Sequence, residues 1–214
     1  RWHVPGQWTA GGEQPNWPHR DARCHHPMRM GDRLYVSYWH AGWYILDISD
    51  MSKPTLVSGM DWSPPFPWPS HTCLPIPFEC GGRKIMLVAD EDVAKKYQSG
   101  PAFLWVVDIT DEQHPIPFSN FQIEGLDGSP TPDMTGCHQP VETVRGTEVP
   151  VAWFANGLRV IDIADPFNVK EVARYIPDVP EGSDRVSSND VFQDDRGLIY
   201  LIDRMRGLSI VERT

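Results

Sequence analysis

The chain has 214 residues, 40% of them hydrophobic and 22% charged, and its formal net charge is −10. This size and composition indicate one globular domain with a sizeable core, while the acidic balance argues against a nucleic-acid partner, because phosphate binding needs clustered lysine and arginine. No apolar run is long enough to predict a membrane span. The 4 cysteines are too few for a disulfide scaffold, although Cys73 and Cys80 are near enough in sequence for one local bridge.

The predicted elements are short strands separated by turns that contain many of the 17 glycines and 21 prolines, a pattern typical of all-β proteins. After the opening segment Arg1–Trp8, the strands fall into four units. They are expected at 23–30, 34–39, 43–48 and 55–61; at 71–77, 84–89, 103–109 and 116–123; at 138–144, 149–154, 158–163 and 169–176; and at 190–193, 198–202 and 208–212. The last unit therefore has one strand fewer than the others.

One sequence motif recurs in these units. It reads Gly-Trp-Tyr-Ile-Leu-Asp-Ile-Ser-Asp at 42–50, returns in altered form at 103–111 and 157–165, and is echoed at 207–212. Its acidic anchors are Asp47, Asp108, Asp162 and Glu212. A period near 50 residues predicts an all-β fold, a β-propeller of four-stranded antiparallel blades in a single domain over 1–214. The predicted blades span 19–61, 70–123, 137–176 and 188–214. The aspartates that end the third strands are expected to cap the turns that follow.

The fourth blade lacks an outer strand, and Arg1–Trp8 stands where that strand belongs. Pairing of this segment with the last blade would close the ring and remove an open edge. Alternatively the chain is a fragment of a larger ring, completed by self-association or by a partner chain. The start at Arg1 instead of Met is compatible with processing or truncation, and it leaves the localisation open.

The run Gly-Leu-Arg-Val-Ile-Asp-Ile-Ala-Asp-Pro at 157–166 resembles the LVIVD-repeat β-propeller family, and so does the run 42–54. The resemblance covers nearly the whole chain and implies the propeller fold without implying a particular chemistry. Histidines near a propeller axis are more distantly similar in layout to selenium-binding proteins, which include copper-dependent methanethiol oxidases, and to the four-histidine iron site of carotenoid-cleavage oxygenases. No local motif of either enzyme family is matched residue by residue.

A histidine opens each of the first three blades, at His25, His71 and His138. Because repeated blades aim equivalent residues at one axis, these imidazoles are expected to converge and hold a divalent transition metal, with Cu, Fe and Zn all compatible. His26 competes with His25, but neighbouring strand residues face opposite ways, so only one of the two is expected to point to the axis. The alternative is that these histidines bond neighbouring backbone and bind no metal.

Three residues are candidate acid–base groups. Glu142 follows His138 by four residues in the same predicted strand, Asp190 opens the fourth blade, and His40 lies in the turn after the second strand of the first blade. Equivalent turns carry Glu91, Asn156, Arg204 and Arg206 at one end of the ring. The alternative for each of these groups is a solvated turn residue.

A small-molecule substrate has its own predicted contacts. Arg204 is expected to hold an anionic group, and Trp62, Phe66 and Trp68 of the proline-rich segment 61–70 are expected to wall an apolar pocket. These aromatic residues could instead cap the core.

The sequence thus predicts a metal-dependent propeller enzyme, favouring an oxidoreductase, that acts on a small organic substrate at a histidine-ligated metal on the axis. The alternative is a non-catalytic propeller that binds a protein or a ligand through its loop face.

Overall fold

Short antiparallel strands make up the fold in residues 23–62, 66, 68–91, 102–123 and 136–213, which a computed structural model describes. None of these residues forms a helix long and apolar enough to cross a membrane. Blade one holds β1 (His25–Met30), β2 (Arg33–Ser37), β3 (Trp43–Asp47) and β4 (Thr55–Met60). Blade two holds β5 (Ser70–Cys80), β6 (Arg83–Asp90), β7 (Leu104–Asp108) and β8 (Ile116–Phe121). Blade three holds β9 (Gln139–Pro140), β10 (Glu148–Ala152), β11 (Leu158–Asp162) and β12 (Lys170–Tyr175). Blade four holds β13 (Ser188–Gln193), β14 (Ile199–Asp203) and β15 (Gly207–Val211).

The strands of each blade pair in chain order, and the four sheets form a four-bladed β-propeller. This arrangement confirms the predicted all-β fold class. Blade four contributes three strands to its sheet in the described part of the chain, so β15 is the outer edge there. The predicted closing segment Arg1–Trp8 lies outside the described residues.

Two apolar clusters hold neighbouring blades together. One lies between blades one and two and includes Trp43, fully buried, with Trp62 and Trp105. The other joins blades two, three and four and includes Trp153, also fully buried. Each buried aliphatic or aromatic side chain contributes about 1.5–3 kcal/mol relative to an exposed one, so these clusters dominate the stability of the packed blades.

The repeated acidic anchors act as turn caps, as the sequence predicts. The side-chain Oδ1 of Asp47 accepts a hydrogen bond from the main-chain N–H of Ser49 at 2.8 Å. Asp108 and Asp162 accept equivalent bonds from the amides of Thr110 and Ala164, at 2.8 and 3.0 Å. These three carboxylates fix the turn between the third and fourth strands of blades one to three, so they are committed to structure.

Cys73 and Cys80 do not form the local bridge that their sequence spacing would allow, because both thiols are free and buried. Cys73 packs in the cluster between blades one and two, and Cys80 packs in the other cluster. The two side chains therefore leave β5 on opposite faces of the sheet.

The predicted first strand of blade three is shorter than expected. Instead of 138–144 it covers Gln139–Pro140, and Glu142 lies in a bend. Proline has no N–H to donate, and Pro140 and Pro150 both occupy this ladder. The last ladder bond runs from the Val141 amide to the Pro150 carbonyl at 2.9 Å.

Candidate metal centre

The first strands of the blades and the turns after their second strands meet at one end of the propeller axis. They enclose a pocket of about 300 Å³. Its walls are His25, His26, Trp39, His71, Glu91, His138, Gln139, Asn189, Asp190 and Arg204. Every blade contributes to this wall, as expected for equivalent residues in a propeller.

Three buried side chains in this pocket are placed to share a cation. One potential ligand atom each from His71, Glu91 and His138 lies within 4.8 Å of the other two. The His138 Nε2 atom is 3.5 Å from the Glu91 Oε1 atom, and the rings of His71 and His138 have centroids 4.0 Å apart. Metal–ligand bonds of about 2.0–2.2 Å in a tetrahedral site hold ligand atoms roughly 3.3–3.6 Å apart. The separation of His138 Nε2 and Glu91 Oε1 falls in this range, and the three residues form a group that could hold a metal ion.

The backbone fixes which nitrogen of His138 faces the pocket. Its Nδ1 lies 2.5 Å from the main-chain oxygen of Asn189, and a carbonyl can only accept, so Nδ1 carries the hydrogen. The lone pair is then on Nε2, the atom that faces Glu91. Hydrogen bonds of this kind orient metal-ligating imidazoles and raise their basicity.

Two linked side-chain hydrogen bonds likewise fix which nitrogen of His71 carries the hydrogen. Its Nδ1 lies 2.7 Å from Thr72 Oγ1, and the Thr72 hydroxyl donates to Gln139 Oε1 at 2.8 Å. Because the hydroxyl has one hydrogen and uses it on Gln139, it must accept from the N–H at His71 Nδ1. The Nε2 of His71 is therefore also free to bind a metal.

His25 lies beside this group on the same wall. Its Nδ1 is 3.2 Å from the His71 carbonyl oxygen, and its ring centroid is 4.3 Å from that of His71. The first blade's histidine thus reaches the axis, while Glu91 supplies the third atom of the compact group. The role of His25 as a metal ligand stays a prediction.

Glu91 is 6% exposed, and its amide donates to the Pro69 carbonyl at 2.8 Å. Burial raises the pKa of this carboxyl to about 7, against the opposing charges of Arg204 and Arg23. Among the described residues no hydrogen-bond donor reaches its Oε2 atom. A buried carboxylate is costly without a partner, and a bound cation would provide one.

Burial also keeps the imidazoles neutral. Burial lowers the pKa of His138 to about 4. Burial also lowers the pKa of His71 far below the usual range, and repulsion from a charge on the neighbouring His138 lowers it further. Neutral imidazole is the form that binds metals. The electrostatics of the pocket thus favour the ligand form of both residues.

The expectation that only one of His25 and His26 faces the axis is wrong, since both line the pocket. A bulge between His25 and Met28 interrupts the ladder, and His26 has a φ of +44°, so side chains no longer alternate there. The His26 Nε2 atom lies 2.9 Å from Glu142 Oε1. That contact occupies one ring nitrogen of His26, which is not among the three residues of the compact group.

The three acid–base candidates are scattered. Asp190 lies on the pocket wall, exposed, with its Oδ1 accepting from the Val191 amide at 2.8 Å. Glu142 is exposed and contacts His26, because β9 ends before it and the same-side argument from His138 does not apply. His40 sets its ring against Trp39, with centroids 5.9 Å apart, and is not among the residues that line the pocket.

Of the predicted substrate contacts, only one lies on the pocket wall. Arg204 lines the pocket, whereas the rings of Trp62 and Phe66 pack on Trp105 at centroid distances of 4.7 and 4.9 Å, within the core between blades one and two. Trp105 Nε1 in turn donates to Oδ2 of the fully buried Asp90 at 2.6 Å. These aromatic residues therefore support the strand end that carries Glu91. Trp68 is half-buried outside the pocket wall.

One repeat position that the sequence analysis did not align accounts for much of the site. The position one or two residues beyond the end of each second strand is occupied by Trp39, Glu91, Phe154 or Arg204, one from each blade. It precedes the acidic anchor by eight residues in blades one, three and four, and by seventeen in blade two, whose turn is nine residues longer. The spacing of eight in three blades, applied to blade two after its nine extra turn residues are set aside, is the signal that could have identified Glu91 as a ligand candidate.

The aromatic residues at this position are held in an unusual backbone conformation. Trp39 and Phe154 have φ values of +56° and +32°, and each forms an isolated bridge to the first residues of the next blade, Ser70 and Ser188. Bulky residues rarely adopt positive φ, and such conformations cluster at functional sites. The ring of His25 lies 5.2 Å from Trp39, and that of His138 lies 4.5 Å from Phe154.

Comparisons with known proteins agree with this architecture. A family model described as the LVIVD repeat matches residues 30–61 and 146–176, which hold the second to fourth strands of blades one and three. The chain is an LVIVD-repeat β-propeller. Among curated proteins no match was found for this LVIVD-repeat propeller.

A solved structure shares the fold. The LVIVD-repeat propeller is similar to the crystal structure of the computationally designed Ika4 protein, with a TM-score of 0.54 and 10% sequence identity over 92% of this chain and 94% of that chain. At this identity the likeness shows the fold alone. The more distant likeness in layout to selenium-binding proteins stays a prediction.

Proposed function

We propose that this LVIVD-repeat propeller is a metal-dependent enzyme, an oxidoreductase that acts on a small organic substrate in the axial pocket. The observation that carries the proposal is the pairing of two buried imidazoles, each with its Nδ1 engaged, with the buried and incompletely paired carboxylate of Glu91. A scaffold of strands does not need these three groups in its centre.

The donor set suits a divalent transition metal that keeps open coordination positions. Two imidazoles and one carboxylate form the ligand set of non-haem Fe(II) oxygenases and also of several zinc hydrolases. A metal held there would supply Lewis-acid or redox chemistry to a substrate bound beside it. Fe, Cu and Zn all accept these ligands, with the redox-active metals favouring the oxidoreductase assignment.

The residues of the chain divide the remaining work. His71, Glu91 and His138 would hold the metal, while Thr72 and the Asn189 carbonyl orient the two imidazoles. Trp39 and Phe154 shield the site from water, because both side chains are buried against histidine rings. Asp190, exposed on the pocket wall, is placed to exchange a proton between substrate and solvent.

Metal binding and activity test the proposal together. The purified protein is incubated separately with Fe²⁺, Cu²⁺ and Zn²⁺, freed of excess ion, and analysed for metal. Dioxygen uptake is then followed with a panel of small organic substrates. We expect about one metal ion per chain, and dioxygen uptake that a chelator abolishes.

Two variants and one control sharpen this experiment. Glu91→Gln and His138→Ala should lose the metal, while His114→Ala should keep it, because His114 is exposed and pairs with Asp111 outside the pocket. Less than about 0.1 metal per chain in the wild type, or turnover that is indifferent to chelation, contradicts the proposal. Ligand binding without any metal would instead support the non-catalytic alternative.

A further inference from the structure

Arg204 occupies in blade four the position that Glu91 occupies in blade two, so the two side chains enter the axial pocket from different blades. Its guanidinium carbon lies 6.0 Å from the ring centroid of Phe154. In the part of the chain that the structure describes, no carboxylate lies within ion-pair distance of this guanidinium. A cation without an anionic partner on a pocket wall is a recognition element for an anion.

The turn that presents Arg204 is rigid. The carboxylate of Asp203 is 3% exposed, and its Oδ2 accepts from the Ser187 amide at 2.8 Å and from the Ser188 hydroxyl at 2.9 Å. Its Oδ1 accepts from the amides of Met205 and Arg206 at 2.8 and 2.9 Å. Both oxygens of Asp203 are thus committed to the turn, so Asp203 forms no ion pair with the neighbouring Arg204, whose backbone the turn fixes.

Charge and size narrow the class of anion. The wall carries the carboxylates of Glu91 and Asp190 and the guanidinium of Arg204. With a divalent cation bound, these charges sum to about +1, which suits a monoanion better than a dianion. A pocket of about 300 Å³ is at the lower end of ligand-binding cavities and admits a small molecule only.

We propose that the substrate is a small monocarboxylate, whose carboxylate pairs with Arg204 while the rest of the molecule lies against the metal group. The contact with the metal group rests on the proposed function, whereas the contact with the substrate carboxylate rests on Arg204 alone. The planar fork of arginine matches a carboxylate in a two-bond geometry, and lysine does not reproduce it.

Propanoate and propanamide are matched probes, because they share shape and differ in charge. Each is titrated into the Co²⁺-loaded protein, with the visible spectrum of the cobalt and the heat of binding as readouts. Propanoate should bind at least about 10-fold more tightly than propanamide, and Arg204→Gln should weaken propanoate about 10- to 100-fold. The affinity of Arg204→Lys for propanoate should lie between the affinities of the wild type and of Arg204→Gln.

Arg206→Gln is the matched control, since both arginines are exposed and lie two residues apart in the same turn, but only Arg204 lines the pocket. It should bind propanoate like the wild type, and Arg204→Gln should bind Co²⁺ like the wild type. Equal affinity for propanoate and propanamide, or no loss in Arg204→Gln, overturns the proposal. Tighter binding of inorganic phosphate than of propanoate overturns the monocarboxylate class.

The test separates this inference from the metal proposal. If Co²⁺ does not bind, the metal-dependent function fails, and propanoate is titrated into the metal-free wild type and Arg204→Gln by calorimetry. A loss of binding in Arg204→Gln then supports carboxylate recognition by itself, and identical titrations refute it.

Discussion

The hydroxyl of Thr72 decides which nitrogen of His71 is available to a metal. It accepts from His71 Nδ1 and donates to Gln139, so the hydrogen on the ring stays away from the pocket. We expect Thr72→Val, which removes the hydroxyl at nearly constant shape, to lower metal affinity about 10- to 100-fold. Thr72→Ser keeps both hydrogen bonds and should bind like the wild type. Competition with a chromogenic chelator measures the affinities, and an unchanged affinity in Thr72→Val contradicts the assigned tautomer.

The repeated aspartates make stability sensitive to acid. The Ser49 hydroxyl and amide lower the pKa of Asp47, with Arg33 adding a smaller effect, so the fold favours the ionised carboxylate. A carboxyl whose pKa is lowered by folding contributes stability above its unfolded pKa of about 4 and loses it as the pH falls through the folded pKa. Asn in its place keeps an acceptor and lacks the charge.

Asp47→Asn should therefore melt below the wild type at pH 6, and the difference between the two melting temperatures should be smaller at pH 3, which is below the unfolded pKa of about 4. Thermal unfolding followed by circular dichroism at both pH values makes the comparison. A melting-temperature difference that is the same at both pH values would show that the charge of Asp47 contributes nothing.

At the scale of single elements, much of the fold was predictable because strand periodicity and turn residues are local. The second and third strands were predicted to within about two residues at each end, since their apolar patterns recur with the repeated motif. The first strand of blade three was too long in the prediction, because Pro140 and Pro150, on the two neighbouring strands, have no N–H to extend the ladder. The axis position of His26 was also missed, since a bulge has no simple sequence signature.

The candidate site was predictable only in part, because the sequence pointed to its two histidines and not to its carboxylate. Register brought His71 and His138 together as expected, because equivalent residues of repeated blades converge. Glu91 was noticed as a turn residue and not as a ligand candidate, because the long turn of blade two hides its alignment with Trp39 and Phe154. Burial and the missing donor at its Oε2, which single it out, are properties of the folded chain.

The turn after the second strand depends on glycine. Gly157 has a φ of +74°, and a Cβ built there would lie 2.4 Å from the Tyr175 carbonyl oxygen, a backbone atom that cannot move aside. Gly197 has a φ of +85° with open space around it. Gly197→Ala should therefore cost about 1 kcal/mol from backbone strain alone, whereas Gly157→Ala should cost several kcal/mol more. Urea unfolding gives both values, and equal losses contradict the close approach.

At the scale of the whole molecule, blade four has an exposed apolar face and, within the described residues, an unpaired strand edge at β15. Leu208 and Ile210 of β15 are 61% and 57% exposed, and Phe192 and Ile202 add to the same surface. An exposed apolar edge of this kind promotes association with another chain. The sequence predicts that Arg1–Trp8 covers it, and that prediction lies outside the described residues.

Deletion of residues 1–8 tests the predicted closing strand. We expect the shortened chain to melt roughly 5–15 °C lower, because a strand's worth of apolar contacts is lost, and to dimerise in sedimentation velocity. Adding Leu208→Lys and Ile210→Lys to the deletion should restore the monomer. A deletion variant with wild-type melting and wild-type mass refutes the closing strand and favours a partner chain or further blades.

The central claim, that two imidazoles and one carboxylate share a metal on the propeller axis, has a direct crystallographic test. A crystal grown with Zn²⁺ is measured at wavelengths on either side of the zinc edge. We predict one anomalous peak on the axis, about 2.0–2.2 Å from the Nε2 atoms of His71 and His138 and from a carboxylate oxygen of Glu91. The claim is contradicted if the axis shows no such peak although zinc is fully occupied at other sites in the crystal. It is also contradicted if zinc is bound through the Nδ1 atoms.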